Sequence, residues 1–257
     1  MKIIINADDF GLNHDVNMAI VEAFDKGYIT NTTIMTNMPG FEEAVQLSKD
    51  YGFFDRVGVH FNVFAGKPLF DGMKDVPLFC QNGEMTSYRF FHQSTIFEKV
   101  PMPFNGNIRK ALSEEADRQV RRYINAGFTE MHFDSHGHSH TFPLVWNAIA
   151  SVFKKYGFRT TRISLNLPSS GFKWCYKSAI NHTICKSFKS SEYFASGSGF
   201  VAAIDAKKQI AQSVEIMVHP VYDEKTGMLS NLGNHPDFPE IIKKAKQIAD
   251  LCSFKDV

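Results

Sequence analysis

Between His132 and His140 the chain reads His-Phe-Asp-Ser-His-Gly-His-Ser-His, placing four of its ten histidines and one aspartate on alternate positions. In an extended strand alternate side chains share a face, so His132, Asp134, His136, His138 and His140 are expected to converge while Met131 and Phe133 point away. Burying that many imidazoles is unfavourable unless something binds them. A divalent metal suits them, because neutral imidazole and carboxylate are its usual nitrogen and oxygen ligands. The competing reading is a surface loop rich in Gly, Ser and His. We expect a metal-dependent enzyme with its remaining ligands elsewhere in the chain.

The elements that must position such ligands alternate between strand and helix. Lys2 to Asn6 is a short apolar run that stops at Asp8, Asp9 and Gly11, as a buried parallel strand does on entering a loop. Asn13 or Asp15 can cap a helix carrying Val16, Ala19, Ile20 and Ala23 before Gly27. Thr32 to Thr36 reads as a second strand, Phe41 to Lys49 as a helix and Val57 to Val63 as a third strand. From Phe64 to Asn105 the pattern lapses into an irregular loop or lid, with room for a small helix near Tyr88 to Phe97. Helices are then expected over Asn107–Ala126, Leu144–Tyr156, Ala206–Gln212 and Pro239–Leu251. Strands are expected over Met131–Asp134, Arg159–Ser164, Glu192–Ala195 and Val214–His219, with Trp174 to Phe188 unassigned. About seven strands and as many helices over residues 1–257, with no repeat and no linker, suggest an α/β fold. We expect a single distorted (β/α) TIM-like barrel with a long insertion, 64–105, after the third strand; a doubly wound open sheet is the alternative.

In parallel α/β folds the active site lies at the carboxyl ends of the strands. Asp8 and Asp9, His60, His136 with His138, Arg162 and His219 fall near five such ends. Each has a blander role. The aspartates can cap a helix and form a turn, or supply a ligand and a base. His60 can be a core histidine, Arg162 can pair across the barrel, and His219-Pro220 can start a loop. His14, His92, His182 and His235 have no comparable context and read as surface or cap residues. The 24 phenylalanines are core first and sugar platforms second.

Bulk properties narrow the partners. A formal net charge of +1 and the lack of a Lys/Arg run argue against nucleic acid. No apolar stretch is long enough to span a bilayer, and the N-terminal run is too short for a signal peptide. Cys80, Cys175, Cys185 and Cys252 are widely spaced and read as reduced thiols. A cytoplasmic protein is expected. The sequence leaves room for a homodimer without specifying one.

Five blocks occur in a telling order: Asn6-Ala7-Asp8-Asp9-Phe10-Gly11, Gly27 to Thr36, Gly58-Val59-His60-Phe61-Asn62, Asp134 to His140, and Val218-His219-Pro220. This order resembles the YdjC-type carbohydrate deacetylases, the chitooligosaccharide (diacetylchitobiose) deacetylases among them, over nearly the whole chain. The resemblance implies a distorted (β/α) barrel and a hydrolase that removes N-acetyl groups from a small acetylated amino sugar with one divalent metal. It implies Asp9, His60 and His136 as metal ligands, Asp8 as catalytic base, His219 as general acid and Arg162 as the group orienting the base. His138 and His140 are then substrate contacts or supports of the ligands, with His138 the more important. Zinc and magnesium suit the ligand set best, and manganese, cobalt or nickel can occupy it. Two departures bear on substrate choice. Val221 stands where the family usually has Gly, and Ile163 to Asn166 lack an acidic residue often found there.

Rival readings fare worse on the residues themselves. A two-metal phosphoesterase needs more carboxylates near the histidines. A sugar isomerase needs acidic ligands that Glu192 and Glu215 do not convincingly supply. A non-catalytic sugar- or metal-binding relative needs neither Asp8 nor His219 beside the ligands.

Overall fold

The structure is a computed structural model describing residues 1–86, 106–167, 172–208, 210, 212–232 and 237–256. The chain opens with β1 (Lys2–Phe10), α1 (His14–Asp25), β2 (Asn31–Ile34), α2 (Phe41–Asp50) and β3 (Val57–Phe61). A short hairpin, β4 (Cys80–Gln81) with β5 (Glu84–Met85), precedes α3 (Gly106–Asn125) and β6 (His132–Ser135). Then come α4 (Pro143–Lys155), β7 (Thr160–Thr161), α5 (Phe172–Cys185), β8 (Tyr193–Ser196), α6 (Gly197–Asp205) and β9 (Ser213–Val218). The hairpin β10 (Pro220–Tyr222) with β11 (Leu229–Asn231) and helix α7 (Phe238–Lys246) follow.

Seven strands pair in parallel in the order β7-β6-β3-β2-β1-β9-β8. The sheet curls into a half-barrel whose two edges meet through loops rather than through a strand ladder. Thr161 N–H donates to Lys189 O and Lys189 N–H to Arg159 O, while Asn166 exchanges bonds with Phe194. The expected single α/β unit of about seven parallel strands is recovered, as a half-barrel that stays open between β7 and β8.

Side-chain alternation separates the two faces of this sheet. Ile3, Ile5, Ala7, Val57, Val59, Phe133, Val214 and Ile216 join the apolar core. Phe133, for example, stacks on Phe153 of α4 with centroids 3.9 Å apart. The intervening residues Asn6, Asp8, Thr33, His60, His132, Asp134 and Glu215 are also buried but polar. Gly58 lies among them because a Cβ there would stand 2.8 Å from His132 O and 3.2 Å from Thr33 Cγ2. Strands buried on both faces with polar side chains on one demand a dense hydrogen-bond network.

Several boundaries differ from those read off the sequence. A helix forms at Gly197–Asp205 rather than Ala206–Gln212, because Ser196 Oγ accepts from Gly199 N–H and Phe200 and Ala203 are buried. Lys207, at φ +55°, lies beyond its end. The strand expected over Arg159–Ser164 shrinks to Thr160–Thr161, after which Arg162 is fully buried. Most of the unassigned stretch belongs to α5, which begins two residues earlier at Phe172, and the last helix stops at Lys246. The irregular segment contains a 3-10 turn at Asp71–Asp75 and the β4–β5 hairpin; its residues 87–105, including the Tyr88–Phe97 expectation, lie outside the described residues. Among the described residues no helix is long and apolar enough to cross a membrane.

Candidate active site

β1 carries two adjacent carboxylates that a flat strand would send to opposite faces. Its pairing with β2 shifts register between Ala7 and Phe10, and Asp9 adopts φ +70°. Aspartate tolerates this left-handed conformation better than most residues, though at some strain. The kink turns both carboxylates toward the polar network, Asp8 onto Arg162 and Asp9 onto two histidines. Beyond it, Gly11 N–H donates to Asn17 Oδ1 at 2.7 Å, fixing the loop that leads into α1.

Asp9 Oδ1 lies 3.1 Å from His60 Nε2 and 2.8 Å from His136 Nδ1. His60 Nδ1 in turn lies 2.6 Å from Asp134 Oδ1, an arrangement in which the imidazole donates Nδ1–H and presents the Nε2 lone pair to Asp9. Imidazole lone pairs facing a carboxylate oxygen repel it unless a proton or metal ion lies between them. With no metal, burial opposes the charged imidazolium, but Asp134, Asp9 and Asp8 outweigh it and raise His60 to about 10. Asp9 is buried as well, yet bonds from His136 and His60 hold it well below the usual carboxylate range. The donor set therefore fits a divalent cation: two nitrogens and one oxygen converge, with a hydrogen-bonded carboxylate behind one imidazole.

Two other groups of three potential ligands occur among the described residues, Asp8-His60-Asp134 and His132-Asp134-Glu215. Their carboxylates are committed to Arg162 instead, and their members are buried. Asp9 and His136 side chains keep 15% and 24% of their exposure, so only the first group opens toward solvent.

Arg162 is the hub beneath this group. Its Nη1 and Nη2 donate to Asp8 Oδ2 and Oδ1, each at 2.6 Å, in a bidentate fork. Nη2 also lies 2.7 Å from Asp134 Oδ2, and Nε donates to Glu215 Oε1 at 2.6 Å. The guanidinium lies over the Phe194 ring at 4.7 Å. Burial would raise the Asp8 carboxyl, but the charge and hydrogen bonds of Arg162 outweigh it and hold Asp8 well below the usual range. Asn6 Nδ2 adds a 2.9 Å bond to Asp8 Oδ1. On the other side His219 Nε2 stands 3.9 Å from Asp8 Oδ2, its backbone N–H held by Asn231 Oδ1.

The histidine run divides, contrary to the single-face expectation. β6 ends at Ser135, and Gly137 and His138 both adopt left-handed backbone at φ +56° and +55°, which breaks the alternation. His132 remains deep in the half-barrel, stacked on Phe254 with centroids 3.4 Å apart, and does not join Asp9. His138 packs edge-on against Phe194 at 5.5 Å, with Nδ1 buried and unpartnered among the described residues. His140 is fully buried; its Nδ1 contacts Ser135 Oγ at 2.5 Å and its Nε2 Arg162 O at 2.9 Å. Burial and the nearby Arg162 charge hold His132 and His138 well below the usual imidazole value. His14 pairs with Glu43 on the surface and His182 lies on α5, while His92 and His235 fall outside the described residues.

Sequence reading passed over Asn6 and Thr33 and dismissed Glu215, all members of this network. Thr33 Oγ1 donates to Asp134 Oδ2 at 3.1 Å. The available signal was a polar residue repeating at every second position of an apolar strand, as in Asn6 and Asp8.

Residues 2–253 match the sequence model of the family described as YdjC-like protein. This chain belongs to the YdjC-like family. It is similar to the carbohydrate deacetylase of Halalkalibacterium halodurans, 30% identical over 223 residues that cover 86% of each chain. The carbohydrate deacetylase of Clostridium beijerinckii is 27% identical over 94% of this chain and 90% of its own length. That of Vibrio cholerae serotype O1 is 38% identical over 156 residues, 61% of this chain and only 56% of the relative. Among solved structures, an Enterococcus faecalis protein proposed to cleave cellobiose-phosphate superposes with a TM-score of 0.65 at 22% identity, covering 87% of this chain and 82% of its own. That likeness concerns the fold alone.

Proposed function

We propose that this YdjC-like chain is a metal-dependent hydrolase that removes N-acetyl groups from an amino sugar or short chitooligosaccharide. The observation that carries the reading is the convergence of Asp9, His60 and His136 beside an Asp8 carboxylate pinned by Arg162. The carbohydrate deacetylases to which the chain is similar support the substrate class.

Asp9, His60 and His136 would hold one divalent ion, with zinc or magnesium the first choices and manganese, cobalt or nickel able to substitute. Such an ion lowers the pKa of water and polarises the amide carbonyl. The chain's own residues supply the proton movements. Asp8, kept ionised and oriented by Arg162, accepts a proton as water attacks the acetyl carbon. Its low pKa makes it a weak base, so it suits water already acidified by the ion. The amine cannot leave as an anion, and His219, across from Asp8, supplies its proton. Asp134 fixes the tautomer of His60, and His140 ties the Arg162 backbone to β6. His138 contributes to the wall toward the sugar. The four free cysteines agree with a reducing, cytoplasmic setting.

The deciding experiment measures acetate release from N,N'-diacetylchitobiose by metal-stripped protein with single metals restored one at a time. Release that depends on an added ion is expected; none with any metal, despite stoichiometric binding, would exclude this substrate. A finer prediction concerns Asp134. Since it holds the His60 ring from behind, Asp134→Asn is expected to weaken metal affinity by about 10–100-fold, read by calorimetric titration. Unchanged affinity would remove His60 from the ligand set.

A further inference from the structure

Behind the site one guanidinium faces three fully buried carboxyl groups, those of Asp8, Asp134 and Glu215. Arg162 carries one positive charge, and His60, which faces both Asp134 and Asp9, adds at most a second when protonated. Uncompensated charge in so dry a place is strongly unfavourable, and the usual escape is for one acid to keep its proton. Hydrogen bonding singles out which. Both Asp8 oxygens accept from Arg162, and Asp134 is engaged by His60, Thr33, Asn6 and Arg162. Glu215 uses only Oε1, toward Arg162 Nε; its Oε2 is buried and unpartnered among the described residues. Asn6 Oδ1, His138 Nδ1 and His132 Nε2 are also unpartnered among the described residues, and of these His132 belongs to a group with Glu215. His132 and Glu215 each place a donor atom within 4.8 Å of the other's, and of Asp134's. His132 Nδ1 sits 3.1 Å from Thr160 Oγ1, so a tautomer donating there leaves Nε2 as an acceptor.

We propose that Glu215 is a positioning residue acting as a neutral acid: Oε1 accepts from Arg162 Nε while Oε2 carries a proton turned toward His132 Nε2. Arg162 then gives its charge to Asp8 and Asp134, and Glu215 fixes the angle of the fork on Asp8. The role of this fork rests on the deacetylase reading; the protonation state of Glu215 does not. Burial pushes the Glu215 carboxyl up to about 7 despite Arg162, and Asp134 and Asp8 push the same way. The charged and titratable groups facing it are Arg162, Asp8 on β1, and His132 and Asp134 on β6; no titratable side chain on β8 stands opposite, where its register partner is Phe194.

Folding stability supplies the test. An acid raised in the folded state binds its proton more tightly there, so below its ordinary value of 4.5 it adds no pH dependence, and ionising it costs stability as pH rises toward 7. Glu215→Gln keeps an acceptor for Arg162 Nε, offers an N–H to His132 and has no charge to lose. Its melting temperature relative to the parent is therefore expected to rise from about pH 5 to about pH 8, and at the higher pH to match or exceed the parent. An ionised salt-bridge partner predicts instead a deficit already complete at pH 5 and level up to pH 8, because its stabilisation is fully present above the ordinary value of 4.5. Infrared spectra of the metal-loaded protein provide the second readout. The parent should show protonated-carboxyl absorption near neutral pH, of which Glu215→Gln removes one component; Glu130→Gln, whose carboxyl burial also pushes up to about 7, removes a different one and leaves that of Glu215 in place. Carboxyl absorption unaffected by Glu215→Gln, a melting-temperature deficit that stays level from pH 5 to pH 8, or failure of that variant to fold would each overturn the proposal. In acetate release, Glu215→Ala should lose activity and Glu215→Gln should recover at least about ten-fold of it, a loss the size of one displaced hydrogen bond to a charged group. If neither protein nor parent releases acetate, the stability and infrared results still decide the state of Glu215.

Discussion

Asp8→Asn is expected to lower kcat for acetate release by about 10²–10⁴-fold, the usual contribution of a positioned proton acceptor. The amide is nearly isosteric but cannot take the proton. The metal should remain, because Asp9, His60 and His136 are untouched, and His60 Nε2 and His136 Nδ1 each lie within 3.1 Å of Asp9 Oδ1. Elemental analysis of the variant therefore separates a lost base from a lost cofactor. The pH profile adds a sign. Arg162 holds Asp8 well below the usual carboxylate range, so Asp8 stays ionised and no acid-side loss of activity above about pH 5 should trace to it. A variant that keeps its rate with metal bound would mean that another group accepts the proton.

How much of this was legible beforehand depended on whether the signal was local. Asp8 and Asp9 followed a short apolar run, and His60 was a lone imidazole in an apolar strand; both stood out against their immediate neighbours. The β/α alternation located the carboxyl ends of the strands, which is why five distant positions could be grouped without coordinates. Failures came where a local rule met a non-local constraint. The even spacing from His132 to His140 promised one face, but Gly137 and His138 turn left-handed just past Ser135, and only His136 reaches Asp9. That break keeps His132 in the interior and ties His140 to Arg162. Glu215 was weighed only with Glu192, as acidic ligands of a sugar isomerase, and set aside on that ground. Its meaning lies across the half-barrel, in an arginine 53 residues away. The kink at Asp9 was equally hidden, since nothing in Asn-Ala-Asp-Asp-Phe announces a positive φ at the fourth residue. α6 was misplaced because Gly-Ser-Gly reads as a loop, whereas Ser196 caps a helix whose first turn contains both glycines.

Arg162→Met should have the largest effect on the fold itself. Methionine fills comparable length and can keep contact with the Phe194 ring, so the loss is one of charge and hydrogen bonds more than of volume. Removing one partner of a buried ionic cluster typically costs about 3–5 kcal/mol, because it strands the other partners uncompensated. In the parent, Asp8 has a folded pKa far below its ordinary value of 3.8, so its stabilisation is present above that value and is lost only as pH falls through the folded one. Without Arg162, burial dominates and raises the same carboxyl, so its ionisation opposes folding as pH rises. The stability difference between variant and parent should therefore be smaller near pH 5 than near pH 8 when read by urea denaturation at both. Arg162→Lys separates charge from geometry. A single ammonium restores one positive charge but cannot span Asp8, Asp134 and Glu215 as the planar fork does. It should recover part of the stability and little of the acetate release, since Asp8 is then neutralised but no longer held in place. Equal recovery of both would mean that charge alone matters, and that the fork on Asp8 has no separate role in aiming the base.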